Sequence, residues 1–190
     1  DGSNHATVLL PIESLTTMGD GVLTMHADIK MSSDVRDGFE RFKKGKHAYG
    51  AMYVHRDGLG FGSHKSMLSM KDAKNAARTR CRALADVECV LYATLSLAQG
   101  SGAGRFPKDS QDFVKEVKAG HRPGEYTVIA SNSLGDAASF HGNDLIYSRE
   151  RALEACERVA ANRFSEQNED FRSSYSAAGL LKCRIFGMYH

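Results

Sequence analysis

The sequence holds eight histidines, four cysteines and 23 acidic residues, the side chains from which a metal site or an acid–base pair could be built. His55 and His64 flank a hairpin pattern and His141 follows a later short strand. Helical zinc sites need His-x3-His with a glutamate beside the first histidine, and this sequence has no such spacing. The histidines therefore read as hairpin-tip or surface groups. Gly60-Phe61-Gly62-Ser63-His64 places glycines before its serine but not after it, whereas a nucleophile elbow needs glycine on both sides of the turn. Gly100 to Gly104 is glycine-rich after an apolar strand, but the Lys-Ser/Thr of a phosphate loop is missing and Arg105-Phe106-Pro107 follows. A linker is the better account. No catalytic, cofactor-binding or metal-binding set is expected.

The cysteines are more informative. Four allow three pairings. Zinc would require close Cys-x2–4-Cys pairs, and none is present. Seven residues separate Cys81 from Cys89, a helix end feeding into a strand, which a bridge spans easily. Buried free thiols are the alternative. Disulfides persist in oxidising compartments, so a paired set implies a periplasmic or secreted protein. The sequence opens on Asp1-Gly2-Ser3-Asn4, as a recombinant start or a mature terminus after signal-peptide cleavage would.

Composition bounds the elements that carry these residues. A 42% hydrophobic and 25% charged chain is globular rather than disordered. A net charge of +2 gives no footprint for nucleic acid or an anionic membrane. No apolar run reaches the roughly 18–20 residues of a transmembrane helix. Residues 6–12 and 22–29 read as strands, and the N-terminal segment 1–31 is expected to form a hairpin. Ser33 or Asp34 can cap a short helix with Val35, Gly38, Phe39 and Phe42 on one face. Tyr49 to Val54 and Leu59 to Ser63 are strands around an Asp57-Gly58 turn. Met70 to Leu84 is a helix with Ala73, Ala76, Ala77, Cys81 and Leu84 on one stripe, small enough to lie close on a sheet. Its outer face carries Lys71, Lys74, Arg78, Arg80 and Arg82, a solvated face or, as the lesser reading, an anionic partner's surface. Val87 to Leu97 returns as a strand.

After Gly104 the pattern restarts: a short helix over 109–120, strands at Tyr126 to Ala130 and Ala137 to His141, and a helix from Ser148 to Phe164. A polar stretch of undetermined structure follows to Gly179, then a last strand from Leu180 to Tyr189. A constant offset of 75 carries Asp34, Asp37, Lys43 and Gly45 onto Asp109, Asp112, Lys118 and Gly120. The same offset carries Ala77, Cys81 and Ala85 onto Ala152, Cys156 and Ala160. One offset matching two helices and a cysteine points to an internal duplication, and the repeat then pairs Cys156 with Cys183. The expected architecture is α+β: an N-terminal hairpin (1–31), a first unit (32–99), a linker (100–108) and a second unit (109–190), arranged as a pseudo-twofold pair.

His47-Ala48-Tyr49-Gly50-Ala51, Gly58, Gly60-Phe61-Gly62, Ser69-x3-Ala73-x3-Ala77-x3-Cys81 and Cys89-Val90-Leu91-Tyr92 together resemble a small module of exported bacterial proteins, a family largely uncharacterised. The likeness covers about 50 residues of the first half. The second half keeps the helix and both cysteines, but its first strand reads Tyr126-Thr-Val-Ile-Ala130. The resemblance implies a disulfide-containing α+β fold and export, and brings no catalytic residues. The expected function is non-enzymatic: a module that binds another protein or itself, or a component of a larger assembly. Its partner contact is expected on the terminal strand, at Ile185, Phe186, Met188 and Tyr189, whose aromatic alternation suits strand addition. The competing expectation is a small exported hydrolase with its site in the cleft between the two units.

Overall fold

The computed structural model describes residues 9–17, 21–44, 49–66, 68–84, 87–97, 105–106, 111–166 and 168–190. In chain order the first elements are β1 (Leu9–Leu10), β2 (Thr16–Thr17), β3 (Gly21–Met25), α1 (Ser33–Lys43), β4 (Tyr49–His55), β5 (Phe61–Ser66), α2 (Met70–Leu84) and β6 (Cys89–Leu97). The second half contains β7 (Arg105–Phe106), α3 (Gln111–Gly120), β8 (Tyr126–Ser131), β9 (Ala137–Gly142), α4 (Leu145–Ser165), α5 (Glu169–Ala177) and β10 (Arg184–Tyr189). The fold is α+β, with two four-stranded sheets ordered β3-β6-β4-β5 and β1-β10-β8-β9 and a short β2-β7 pair. In both sheets an N-terminal strand flanks the last strand of that half, and the hairpin lies beyond.

Local chemistry sets the helix starts. Ser32 Oγ accepts from the Val35 amide at 3.4 Å, so α1 is capped one residue before Ser33 and two before Asp34. Ser69 Oγ accepts from the Asp72 amide at 3.1 Å at the head of α2. Asp144 accepts from the Tyr147 amide at 2.7 Å and begins α4 three residues before the expected Ser148. The polar stretch after Phe164 is helical as well, since α4 runs to Ser165 and α5 follows.

Each sheet is covered on both faces. Val35, Phe42, Met52, Val54 and Tyr92 pack under α1, while Ala51 meets Ala73 and Ala77 of α2. The alanine stripe of α2 does bring helix and sheet close: a Cβ on Gly62 would run into the backbone of Ala77 and Cys81. In the second sheet, Ile129, Phe186 and Tyr189 pack with Val114 and Val117 of α3, and Val128, Ala130 and Met188 pack with Ala152 and Cys156 of α4. A further cluster of Ala76, Tyr175 and Leu180, with Leu134, Phe164 and Phe171 beside it, joins the two halves.

A polar tie lies next to that cluster. Asp72 at the head of α2 accepts from Ser133 Oγ at 2.7 Å and from Arg184 at the start of β10. Burial works against its charge, but the hydrogen bonds from Ser69, Ser133 and Arg184 outweigh it and hold the carboxyl below its ordinary pKa.

Both disulfides form, Cys81–Cys89 and Cys156–Cys183, with Cα separations of 6.3 and 6.2 Å. Among the described residues the expected N-terminal hairpin does not. β1 joins the second sheet, parallel to β10 (Leu9↔Met188, Leu10↔Tyr189), and β3 joins the first, antiparallel to β6. The outer edges of β6 and β10 each offer a ladder of backbone groups, and satisfying two ladders outcompetes pairing the short N-terminal strands with each other. Within the expected linker, Arg105 and Phe106 pair in parallel with Thr16 and Thr17; the Gly100 to Gly104 stretch lies outside the described residues.

Tyr189 is fully buried, and its hydroxyl has no hydrogen-bond partner among the described residues. A buried unsatisfied hydroxyl costs about 1–3 kcal/mol. Tyr189→Phe is therefore expected to leave stability unchanged or raise it by about 1 kcal/mol, read from the urea midpoint. A loss of stability instead would mean that the hydroxyl is hydrogen-bonded in solution.

Candidate binding cleft between the two sheets

The candidate residues of the terminal strand are in the interior. β10 is paired on both sides, by β1 and β8. Phe186, Met188 and Tyr189 are buried and Ile185 is half-buried. Phe186 and Tyr189 face α3 while Met188 and Ile185 face α4. This corrects the expectation that Ile185, Phe186, Met188 and Tyr189 form a contact surface: they are core, because a strand covered on both faces has no solvent side. The exposed edge lies elsewhere. β3 pairs only with β6 among the described residues, and Val22, Leu23 and Met25 are 48, 36 and 45% exposed. Alternation puts Leu23 and Met25 on one face and Val22 on the other, so the edge is apolar on both sides. It carries none of the lysine, proline or bulge that blunts most edge strands.

The histidines also differ from expectation. His55 is buried, and its Nε2 donates to the Cys81 carbonyl at 3.1 Å. It lies beside Cys81 and Cys89, a trio close enough to hold a metal ion. The two sulfurs are bonded to each other, however, and offer no thiolate. His141 Nδ1 and His121 Nδ1 each lie 2.8 Å from Thr127 Oγ1. Burial, and then the neighbouring His121, push His141 below its ordinary pKa.

His64 has charged and polar neighbours from both halves of the chain. It stands on β5 at the wall of a cavity of about 70 Å³, which Arg80 of α2, Asp136 of the β8–β9 turn, Arg163 of α4 and Tyr175 of α5 also line. The turn is shaped by Asn132, which is fully buried. Its side-chain oxygen accepts from the Leu134 and Asp136 amides at 2.9 and 3.0 Å, and its amide donates to Asp136 Oδ2 at 2.8 Å. Gly135 supplies the left-handed conformation, φ +85°, that lets the chain reverse there. Asp136 is thus held by its own turn, and its Oδ1 accepts from Arg163 Nη1 at 2.9 Å.

Burial pushes the His64 imidazole down to about 4, and Arg80 and Arg163 add to this. A backbone hydrogen bond at Leu134 and the charge of Asp136 act the other way. His64 is neutral at pH 7, and its Nε2 is shielded from solvent with no partner among the described residues. Burial raises the Tyr175 hydroxyl above its ordinary pKa, against the charge and hydrogen bond of Arg80.

A second opening of about 420 Å³ runs along the other face of β5, lined by Arg41, Phe61, Ser63, Lys65, Arg80 and Phe171. Ser63 and His64 therefore line different openings. Gly62 packs on α2 and Phe61 on Gly38 of α1, so the strand period sends Ser63 away from His64. Once 61–66 is recognised as a strand, that separation could be read from the sequence. Arg80, Asp136, Arg163 and Tyr175 had no such signal; only the basic stripe of α2 hinted at Arg80. With all four cysteines in disulfides, what the cleft offers is two guanidinium groups, one carboxylate, one neutral imidazole and one phenol, a set suited to holding a polar group in place. No family model, no curated protein and no solved structure matches this chain.

Proposed function

We propose that this chain is a non-enzymatic, exported module that assembles through strand addition at β3. Two disulfides support export, because such cross-links are kept in oxidising compartments. None of the described helices is long and apolar enough to cross a membrane. The common strand order of the two sheets supports reading residues 32–99 and 109–190 as two copies of one unit in a pseudo-twofold pair. The observation that carries the assembly role is the β3 edge, apolar on both faces and unpaired among the described residues.

The partner is a second copy of this chain. Two β3 edges running antiparallel across a twofold axis are self-complementary, and they bring Val22, Leu23 and Met25 of each copy together. A hydrolase role would draw on His64 and Asp136, but the serine beside His64 in sequence faces the opposite side of its strand. Sedimentation of the purified chain over a range of concentrations is expected to show a monomer–dimer equilibrium. Val22→Lys with Met25→Lys should hold it monomeric with an unchanged circular dichroism spectrum, while Ser63→Ala, His64→Ala and His141→Ala should associate as the parent does. A parent monomeric throughout, or a lysine variant that still dimerises, would sink the assembly role.

A further inference from the structure

Positive charge gathers around β5. Of the two guanidinium groups at the cavity, Arg163 is ion-paired with Asp136. Among the described side chains Arg80 has no carboxylate partner. It is held by the Tyr175 hydroxyl and sits 5.7 Å from the Phe171 ring centre. Arg80 also lines the open groove, where Arg41 adds a second guanidinium. Phe61 and Phe171 give that groove its apolar walls. Cations that share a concave, partly apolar site raise the local concentration of anions. The cavity of about 70 Å³ is large enough for a head group and too small for a whole organic molecule, whereas the groove of about 420 Å³ is not.

We propose that the cavity and the groove that share Arg80 bind one organic oxyanion. A carboxylate or phosphate group sits between the Arg80 and Arg163 guanidiniums, and an apolar or aromatic body lies along Phe61 and Phe171. Guanidinium groups grip such planar or tetrahedral oxyanions through paired N–H donors. Tyr175 pre-positions Arg80, and the Asn132-braced Asp136 pre-positions Arg163, so little side-chain freedom is lost on binding. His64 at the cavity wall senses the occupant: an anion there opposes the burial that keeps the ring neutral and moves its titration upward. The site lies at the β5 edge of the first sheet, the opposite edge from β3, so it does not depend on the assembly role.

Benzoate, phenyl phosphate and the neutral benzamide are the probes, titrated into the full chain and into its Val22→Lys/Met25→Lys form. Calorimetry is expected to detect at least one of the two anions and not benzamide, and the tighter anion identifies the head group. Arg80→Gln should weaken that binding about tenfold or more, as expected for loss of a charge-assisted contact, while Arg78→Gln, on the exposed face of α2, should not. In the parent chain the His64 ring proton, followed by NMR, should titrate at higher pH when the anion is present; this readout needs no variant to fold. The proposal is overturned if benzamide binds as well as the anions, if Arg78→Gln and Arg80→Gln behave alike, or if neither anion shifts the His64 resonance. Equal anion binding by the β3 double variant keeps this result separate from the outcome for assembly.

Discussion

Replacing Cys156 and Cys183 together by alanine is expected to lower the unfolding free energy by about 3.5 kcal/mol, against about 2.5 kcal/mol for the Cys81/Cys89 pair. The difference comes from loop length: the second bridge spans a sequence separation of 27 and the first only 8. A domain of this size is stable by about 5–15 kcal/mol in total, so the larger loss is a substantial fraction of it. The consequence extends beyond chain entropy. The long loop contains α5, whose Tyr175, with Leu180 beyond it, packs on Ala76 of α2. Loosening that loop should weaken the contact between the halves and open the cavity at His64. Denaturant midpoints of the two double variants test the order. A larger loss for the Cys81/Cys89 pair would show that local packing, not loop closure, sets the contribution of each bridge.

Gly62→Ala is expected to cost about 1–3 kcal/mol, the usual range for forcing extra atoms into a filled interior. The added methyl meets the Ala77 carbonyl oxygen and the Cys81 backbone, which are main-chain atoms of α2 and cannot swing aside. Helix and strand would have to separate, and Cys81 lies in that contact. Ser63→Ala, one residue along on the other face, should change stability by no more than about 0.5 kcal/mol, as half-buried positions away from such contacts do. Thermal unfolding of the two variants decides this. Equal midpoints would mean that α2 has room to shift without cost.

By itself the sequence determined the features that depend on neighbouring residues. The period of Met70 to Leu84 announces α2, and the alanine stripe at Ala73, Ala76 and Ala77 announces its close approach to a sheet. The Asp57-Gly58 turn gives the first hairpin. The order of helices and strands followed from period and punctuation, and the bridge between Cys81 and Cys89 followed from their nearness along the chain. Cys156–Cys183 was legible only through the offset of 75, since a sequence separation of 27 carries no pairing information of its own.

Only the tertiary structure decided which edges found partners and which side chains met across the halves. Val8-Leu9-Leu10 and the Ile185 to Tyr189 run look alike as exposed apolar strands, and nothing local says that Leu9 will pair with Met188 and bury the run. Central strands covered on both faces and exposed edge strands can carry the same residue types, because their difference lies in what the rest of the chain places beside them. The cleft has the same origin. His64, Arg80, Asp136, Arg163 and Tyr175 come from five separate elements or turns, and they converge because α5 and the β8–β9 turn dock on α2 and β5. That docking depends on packing between distant segments such as Ala76 with Tyr175 and Asp72 with Arg184, and residue periodicity, which reports only a segment's own faces, carries no trace of it.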